Sequence, residues 1–242
     1  MKLDVLAFGA HPDDVELSCS GTLIMEKKQG RKTGVIDLTE GELGSRGTIE
    51  TRRSEAARSA EILGLDVREN CQLADGFFEH SQMNLLKIIE MIRTYQPEVV
   101  LCNAPEDRHP DHGKGAKLVS DACFLSGLIR IETNRNGQKQ DPWRPKQVFH
   151  YVQDRYLEPN FLYDISSAFE QKMQSIRSFE TQFFNPEIDG PETYISKAGF
   201  LDGIKHNNQL LGKRIGVDFA EGFITKKIIG ISGFDAIISQ ST

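Results

Sequence analysis

Strand-like and helix-like patterns alternate through the first 125 residues of this 242-residue chain. Short apolar runs, which are typical of buried strands, occupy residues 3–8, 33–38, 69–73 and 99–103. Helical patterns occupy residues 21–30, 49–63, 84–95 and 113–124. Strands that alternate with helices of this length imply right-handed crossovers between parallel strands. The pattern therefore predicts an α/β fold with a doubly wound, mostly parallel sheet and helices on both faces.

The second half of the chain is less regular. Residues 131–145 and 183–194 are polar or rich in proline and glycine, and we expect loops there. A strand is predicted at 147–152, and helices are predicted at 166–179 and 200–211. The sequence contains no internal repeat, low-complexity tract or clear linker. We therefore expect residues 1–242 to form a single domain.

Composition and charge narrow the classes of partner. Hydrophobic residues make up 38% of the chain and charged residues 26%, as in folded domains. The net charge of −6 gives no general attraction for nucleic acid or anionic membranes. No apolar stretch approaches the length of a membrane span. The four cysteines are scattered without Cys-x-x-Cys spacing, which is typical of free thiols in a reducing cytoplasm, and we expect the protein there.

Two polar loops, at residues 10–16 and 105–112, directly follow predicted strands. Ligands of open α/β sheets bind outside the carboxyl ends of the strands, so the topology brings both loops to one end of the sheet. One His-Pro-Asp-Asp sequence alone is compatible with a structural turn. However, three of the six histidines of the chain lie in these two loops, which favours a functional site.

The residue types in these loops are those of a metal site. Zinc accepts imidazole nitrogen and carboxylate oxygen, and a catalytic zinc site uses three protein ligands with room for water. His11 and Asp14 can converge on one ion from the first loop, and the second loop offers His109 and His112 as a third ligand. Asp13 lies beside these ligands and can take a proton from the attacking water.

The second loop also contains a candidate acid. His109, paired with Asp111, can stabilise a developing oxyanion as an imidazolium and then protonate a leaving amine. These roles suit the hydrolysis of an amide.

Both loops match known signatures. Gly-Ala-His-Pro-Asp-Asp-Val-Glu at 9–16, followed by Gly21-Thr22, and Arg-His-Pro-Asp-His at 108–112 resemble the signature motifs of the LmbE-like, or PIG-L, N-acetylglucosamine deacetylases. The family branch that deacetylates N-acetylglucosaminyl-malate in bacillithiol synthesis has similar sequences at further positions: residues 37–48, 159–161, 164–166, 179–183 and 219–223. The resemblance covers nearly the whole chain and implies the Rossmann-like fold of this family. Ser18-Cys19-Ser20 departs from the glycines or other small residues that relatives commonly have there.

The resemblance also implies roles for individual residues. Three residues match the metal ligands of the family: His11, Asp14 and His112. Three more match its catalytic residues, namely the general base Asp13, the acid or oxyanion-stabilising His109, and Asp111, which orients His109. Two match basic residues near the substrate: Arg52 and Arg108. The implied cofactor is one Zn²⁺ per chain, although Fe²⁺ suits two histidines and one carboxylate equally well.

The resemblance therefore predicts a zinc-dependent deacetylase whose substrate is N-acetylglucosaminyl-malate, a small amino-sugar conjugate. It also predicts a homo-oligomer. Alternative substrates are another N-acetylglucosaminide or a chitobiose-type fragment. A metal-dependent phosphoesterase is a different class of candidate, because clusters of histidine and aspartate also bind paired metals. A non-catalytic sugar-binding module is a third alternative.

Overall fold

The computed structural model describes residues 1–234, so residues 235–242 of the expected domain lie outside it. The strands are β1 Val5–Gly9, β2 Thr33–Thr39, β3 Val67–Leu73, β4 Val99–Cys102, β5 Asn134–Arg135, β6 Gln138–Lys139, β7 Gln147–Tyr151, β8 Phe161–Asp164 and β9 Ala220–Ile224. Seven of them form one sheet in the order β3-β2-β1-β4-β7-β9-β8. The other two, β5 and β6, form a hairpin within the predicted loop at 131–145.

The α-helices of the described residues are α1 Asp14–Lys28, α2 Ile49–Leu63, α3 Gln82–Tyr95, α4 Pro110–Leu125, α5 Phe169–Arg177 and α6 Phe200–Ile215. A short 3₁₀ helix at Ser166–Ala168 precedes α5, so the helix predicted at 166–179 consists of two segments. None of the helices in this part of the chain is both long and apolar enough to cross a membrane. The four cysteines all lie within the described residues; they are unpaired, as the sequence predicts, and they are also buried.

The sheet is mostly parallel, which confirms the predicted fold class. β1 pairs in parallel with β2 and β4, β2 with β3, and β4 with β7, whereas β9 runs antiparallel to β7 and β8. Successive side chains point to opposite faces of a strand. Leu6 and Phe8 pack with the core under α3 and α4, whereas Val5 and Ala7 pack with the core under α1. Burial on both faces explains the unbroken apolar run of β1.

The two polar loops are shorter than predicted, because each runs directly into a helix. Helix α1 begins at Asp14 and not at residue 21, and α4 begins at Pro110 and not at residue 113. Proline at the first helical position costs no hydrogen bond, since that N–H has no partner within the helix. Asp14 and His112 therefore project from the first turns of two helices, where the positive end of the helix dipole favours carboxylates.

Strands β8 and β9 were not predicted from the sequence. Glu221 and Gly222 interrupt the apolar pattern of β9. The Glu221 side chain is fully buried and lies 2.7 Å from Nζ of Lys172. Its carboxylate also accepts hydrogen bonds from the backbone N–H groups of Gly21, at 2.9 Å, and Thr22, at 2.7 Å. The buried charge is stable in the sheet because these groups, distant in sequence, compensate it.

Candidate active site

A cavity of about 540 Å³ lies at the carboxyl ends of the strands. Both polar loops reach it, as the sequence predicts, and the segments after β3 and β7 reach it as well. The polar residues of its inner wall include His11, Asp13, Asp14, Asp75, Asp107, His109, His112 and Gln153. The strand-end rule therefore predicted correctly that the two loops meet at one edge of the sheet.

Asp13 connects β1 to α1 through a strained turn. Its backbone has a φ of 122° and a ψ of −24°, a conformation that costs a residue with a side chain about 1–3 kcal/mol. Arg52 supports this turn, because its Nη2 donates to the carbonyl oxygen of Pro12 at 2.6 Å and to Oδ2 of Asp13 at 3.2 Å. The turn separates two adjacent carboxylates, so that Asp13 faces Arg52 and Asp14 faces the histidines.

Asp14 lies between two histidines. Its Oδ1 is 3.0 Å from Nε2 of His112, and its Oδ2 is 3.6 Å from Nδ1 of His11. Asn103 Nδ2 donates to Oδ2 at 3.0 Å, and Gln153 Nε2 donates to Oδ1 at 3.3 Å. Burial alone would raise the pKa of Asp14, but the two histidines hold this pKa well below its usual range. The carboxylate is therefore ionised and fixed in orientation.

Each of these histidines has its second ring nitrogen against another carboxylate. Nε2 of His11 lies 3.0 Å from Oδ1 of Asp75, and Nδ1 of His112 lies 2.5 Å from Oδ2 of Asp107. A carboxylate in this position accepts the ring N–H and fixes the tautomer, as in many metal sites with histidine ligands. His11 therefore faces Asp14 with Nδ1, and His112 faces the same carboxylate with Nε2.

The residues fit a divalent cation. Two imidazoles and one ionised carboxylate are a donor set that suits zinc or iron(II). Four carboxylates lie against the rings of His11 and His112: Asp14, Asp75, Asp107 and Asp111. Burial alone would lower the pKa of His112, but Asp14 and Asp107 raise it to about 9. The negative charge of the cluster is thus balanced by protons on the rings, and a cation would replace these protons.

His109 lies beside the same group of residues. Its ring centroid is 4.6 Å from that of His11 and 5.3 Å from that of His112, and one ring nitrogen of each histidine lies within 4.8 Å of the others. His109 Nδ1 accepts a hydrogen bond from the backbone N–H of Asp111 at 3.3 Å, which leaves the ring proton on Nε2. Burial lowers the pKa of His109, and the neighbouring His11 and His112 lower it further.

The carboxylate of Asp111 does not pair with the His109 ring in this structure. Asp111 Oδ2 accepts from the backbone N–H of Gly76 at 2.7 Å and lies 3.5 Å from Nε2 of His11. The expected pair of the Asp111 carboxylate and the His109 ring is therefore absent, and only the backbone N–H of Asp111 contacts that ring. The reason is that the first turn of α4 directs the Asp111 carboxylate towards Gly76, in the segment after β3. Asp111 still contacts the site, but through His11.

Asp13 has the electrostatics of a general base. Its carboxyl group is buried, which raises its pKa, and Asp14 adds to this effect; Arg52 and His11 act in the opposite direction, and the resulting pKa is about 7. A base works best when its pKa lies near the operating pH. Arg52, which the family resemblance predicts to lie near the substrate, lines the cavity but is only 5% exposed. It also donates to the carbonyl oxygen of Gly41 at 3.3 Å. Its contacts make it a positioning residue for Asp13.

Arg108 lies at the mouth of the cavity with 43% of its side chain exposed. Its Nε is 3.5 Å from Oδ2 of Asp154, and its guanidinium lies 4.3 Å from the ring centre of Tyr194. Tyr194 donates to Oδ1 of Asp154 at 2.9 Å and belongs to the expected loop at 183–194. Arg108 therefore contributes a partly exposed guanidinium to the lining of the cavity.

The sequence analysis missed Asp75 and Asp107, the partners of the two histidines. Asp75 follows β3 directly, so the strand-end rule applied to a third strand would have found it. Asp107 lies within the second polar loop, but nothing in the sequence indicates which imidazole it contacts. Asn103 and Gln153, which bond to Asp14, likewise follow the ends of β4 and β7.

Comparisons with known proteins identify relatives of this chain. The family model described as "PIG-L: GlcNAc-PI de-N-acetylase" matches residues 6–123, a range that includes all the predicted site residues. The chain is 29% identical over 190 residues to the diacetylchitobiose deacetylase of Thermococcus kodakarensis, which covers 74% of this chain and 70% of that protein. It is 26% identical over 192 residues to the 4-oxalmesaconate hydratase of Pseudomonas putida, which covers 73% of each protein.

The crystal structure of the conserved protein TT1542 from Thermus thermophilus has the same fold, with a TM-score of 0.84 and 33% sequence identity. The match covers 95% of this chain and 98% of that chain. The likeness therefore extends beyond the segment that carries the motifs to the second half of the sheet.

Proposed function

Since the chain belongs to the PIG-L family of de-N-acetylases, we propose that it is a metal-dependent deacetylase of an N-acetylglucosaminide. The observation that carries the proposal is the position of Asp13, a carboxyl group with a pKa of about 7, directly beside the ligand set of His11, Asp14 and His112. Hydrolysis of an amide needs an activated water and a proton for the leaving amine. Groups suited to both tasks lie in one cavity.

In the proposed reaction, water attacks the carbonyl carbon of the N-acetyl group, the C–N bond breaks, and acetate and a free amine are released. A divalent ion held by His11, Asp14 and His112 would polarise the carbonyl and acidify the water. Asp13 accepts the proton of the attacking water, because its carboxyl group is partly ionised at neutral pH. His109 donates an N–H hydrogen bond to the developing oxyanion. The proton held by Asp13 is then available to the leaving nitrogen.

The metal that we propose is zinc, with one ion per chain. Elemental analysis of purified protein tests both the identity and the stoichiometry. Iron(II) suits the same ligands, so the analysis should include protein purified under anaerobic conditions.

We propose N-acetylglucosaminyl-malate as the substrate, which would place the protein in bacillithiol synthesis. The sequence motifs of that family branch support this choice, and so does the position of Arg108 at the cavity mouth. The planar guanidinium of arginine matches a carboxylate with two parallel hydrogen bonds. A malate group would offer carboxylates to Arg108, whereas a neutral glycoside would not.

The test is the release of free amine from a panel of N-acetylated sugars by the metal-loaded protein. The panel contains N-acetylglucosaminyl-malate, diacetylchitobiose and the methyl glycoside of N-acetylglucosamine. We expect the highest kcat/KM for the malate conjugate. Absence of amine release from every member would refute the proposed activity, and a preference for diacetylchitobiose would refute the malate assignment alone.

Arg108→Lys tests how the malate group is recognised. Lysine keeps the positive charge but cannot form two parallel hydrogen bonds to one carboxylate. We expect KM for the malate conjugate to rise more than KM for the methyl glycoside. Equal effects on the two substrates would show that Arg108 only holds its loop through Asp154 and Tyr194.

The same measurements separate the rival functions. A phosphoesterase of the two-metal type would bind two ions per chain, whereas we expect one. A sugar-binding module would bind metal and sugar without releasing amine. The hydratase relative adds water to its substrate, and a protein with that chemistry would likewise release no amine from this panel.

A further inference from the structure

The two carboxylate oxygens of Asp75 contact different parts of the site. Oδ1 lies 3.0 Å from Nε2 of His11, and Oδ2 accepts a hydrogen bond from the backbone N–H of Leu43 at 2.9 Å. Leu43 and Gly44 belong to the loop between β2 and α2, at residues 40–47, and both line the cavity. The Asp75 side chain is only 7% exposed. One buried carboxylate thus joins a candidate metal ligand to a loop beside the substrate space.

We propose that Asp75 is a positioning residue that couples the order of the loop at 40–47 to metal binding by His11. The proposal rests on the metal site of the proposed function. With Oδ1, Asp75 holds the proton of His11 on Nε2, so that Nδ1 faces Asp14. With Oδ2, the same group anchors Leu43 of the loop.

A second contact ties the loop to Asp75. The backbone N–H of Asp75 donates to Oε1 of Glu42 at 2.8 Å, so the loop is held from both the side chain and the backbone of this residue. The loop contains Gly41, with a φ of 68°, and Gly47, with a φ of 75°. Glycines loosen a loop because they have more backbone freedom to lose on folding. The order of this loop therefore depends strongly on its anchors.

The other carboxylate near Nε2 of His11 is less suited to this role. Asp111 Oδ2 lies 3.5 Å from that nitrogen and already accepts the N–H of Gly76 at 2.7 Å. Asp75 is closer to the ring and reaches the loop as well. The coupling thus passes through Asp75.

Coupling of this kind is reciprocal. If the bound ion fixes His11 and Asp75, it also stabilises the loop at 40–47. If a sugar then contacts the ordered loop, it strengthens the binding of the ion by His11. Loop order and metal affinity are therefore expected to change together.

The first experiment measures metal affinity in Asp75→Asn. Asparagine has one side-chain oxygen and cannot serve both contacts. If that oxygen bonds to Leu43, the amide NH₂ faces Nε2 of His11 and favours the tautomer that places the proton on Nδ1. We expect affinity for Zn²⁺, measured by competition with a chelator, to fall by about 10- to 100-fold, the usual effect of losing such a partner.

The matched control is Asp121→Asn. Asp121 Oδ2 lies 2.8 Å from Nε2 of His80, which gives the same chemical pair on an exposed part of the surface. This variant should keep the metal affinity of the wild type. A thermal melt of each protein confirms that the compared samples are folded, and Asp75→Ala provides a second variant that removes both contacts.

The second experiment measures amide hydrogen exchange of the loop with and without Zn²⁺. We expect the ion to slow exchange at Leu43 in the wild type, and we expect no such change in Asp75→Ala. A purely structural Asp75 would lower the melting temperature without changing the metal affinity of the folded protein. The coupling is refuted if the Zn²⁺ affinity of Asp75→Asn stays within about threefold of the wild type, well short of the expected loss. It is also refuted if Zn²⁺ does not change the amide exchange rate of the loop in the wild type. A wild-type protein that binds no ion would instead refute the proposed metal site itself.

Discussion

Replacement of Arg52 by methionine is expected to move the acid limb of the pH–rate profile to higher pH. Nη2 of Arg52 lies 3.2 Å from Oδ2 of Asp13, and both side chains are buried. The guanidinium favours the ionised carboxylate and so opposes the burial that raises the pKa of Asp13 to about 7. An opposite charge this close lowers a carboxyl pKa by about 1–3 units, and its removal raises the pKa by that amount.

The size of the effect follows from the ionised fraction. With a pKa of about 7, half of the Asp13 carboxyls are ionised at pH 7 in the wild type. With a pKa higher by about 1–3 units, roughly one in ten to one in a thousand are ionised. Since only the ionised base accepts a proton, kcat/KM should fall by about 5- to 500-fold at the midpoint of the wild-type acid limb. The loss should shrink as the pH rises above that midpoint. A bound cation lowers the pKa of Asp13 in both proteins, so in the metal-saturated enzyme the midpoint lies below pH 7 while the shift of about 1–3 units between the two proteins remains.

The assay is amine release from methyl N-acetylglucosaminide by metal-saturated protein from the acidic to the alkaline range, so that the acid limb of both proteins is covered. Arg58→Met is the matched control, because Arg58 also lies in α2, is 47% exposed and pairs with Glu180 away from the cavity lining. Its pH profile should match that of the wild type. A loss of activity in Arg52→Met that is the same at every pH would show that Arg52 acts through the Pro12 turn and not through the charge of Asp13.

Three further outcomes follow from the site and its support. His112→Ala should lose its metal and its activity together, and full metal content by elemental analysis would contradict the ligand assignment. Asp13→Asn should keep its metal but lower kcat by roughly 10²- to 10⁴-fold, and the acid limb of its pH profile should disappear; loss of the metal from this variant would instead make Asp13 a ligand. Gly21→Ala should reduce the free energy of unfolding in urea by about 1–3 kcal/mol, because the new Cβ would lie 2.8 Å from a side-chain atom of Ile165. Gly203→Ala, with no atom within 4 Å of its Cβ, is the control and should be neutral or stabilising; equal destabilisation of both would remove the packing explanation.

Local patterns in the sequence predicted much of the fold. Helix α2 begins and ends at the predicted residues, because Thr48 caps its first turn and Gly64, in a left-handed conformation, ends it. The central strands appear as apolar runs because both of their faces are buried. The candidate ligands were also visible, since they lie in short motifs that directly follow strands. The homo-oligomer, which the family resemblance implies, stays a prediction.

Contacts between distant segments were not visible in the sequence. Strand β9 was missed because Glu221 resembles a surface residue until Lys172 is placed beside it. The left-handed backbone of Asp13 was missed for a similar reason, since Arg52, 39 residues away, holds the turn.

The sequence by itself determined which residue types reach the carboxyl end of the sheet, because strand periodicity and the order of elements fix that edge. Only the tertiary structure decided which carboxylate meets which imidazole. His11 pairs with Asp75, 64 residues away, and the Asp111 carboxylate faces His11 although it is only two residues from His109. The physical reason is that a hydrogen bond forms only over about 3 Å. Such distances depend on how two helix N-termini and several strand ends pack together, and sequence separation does not record that packing.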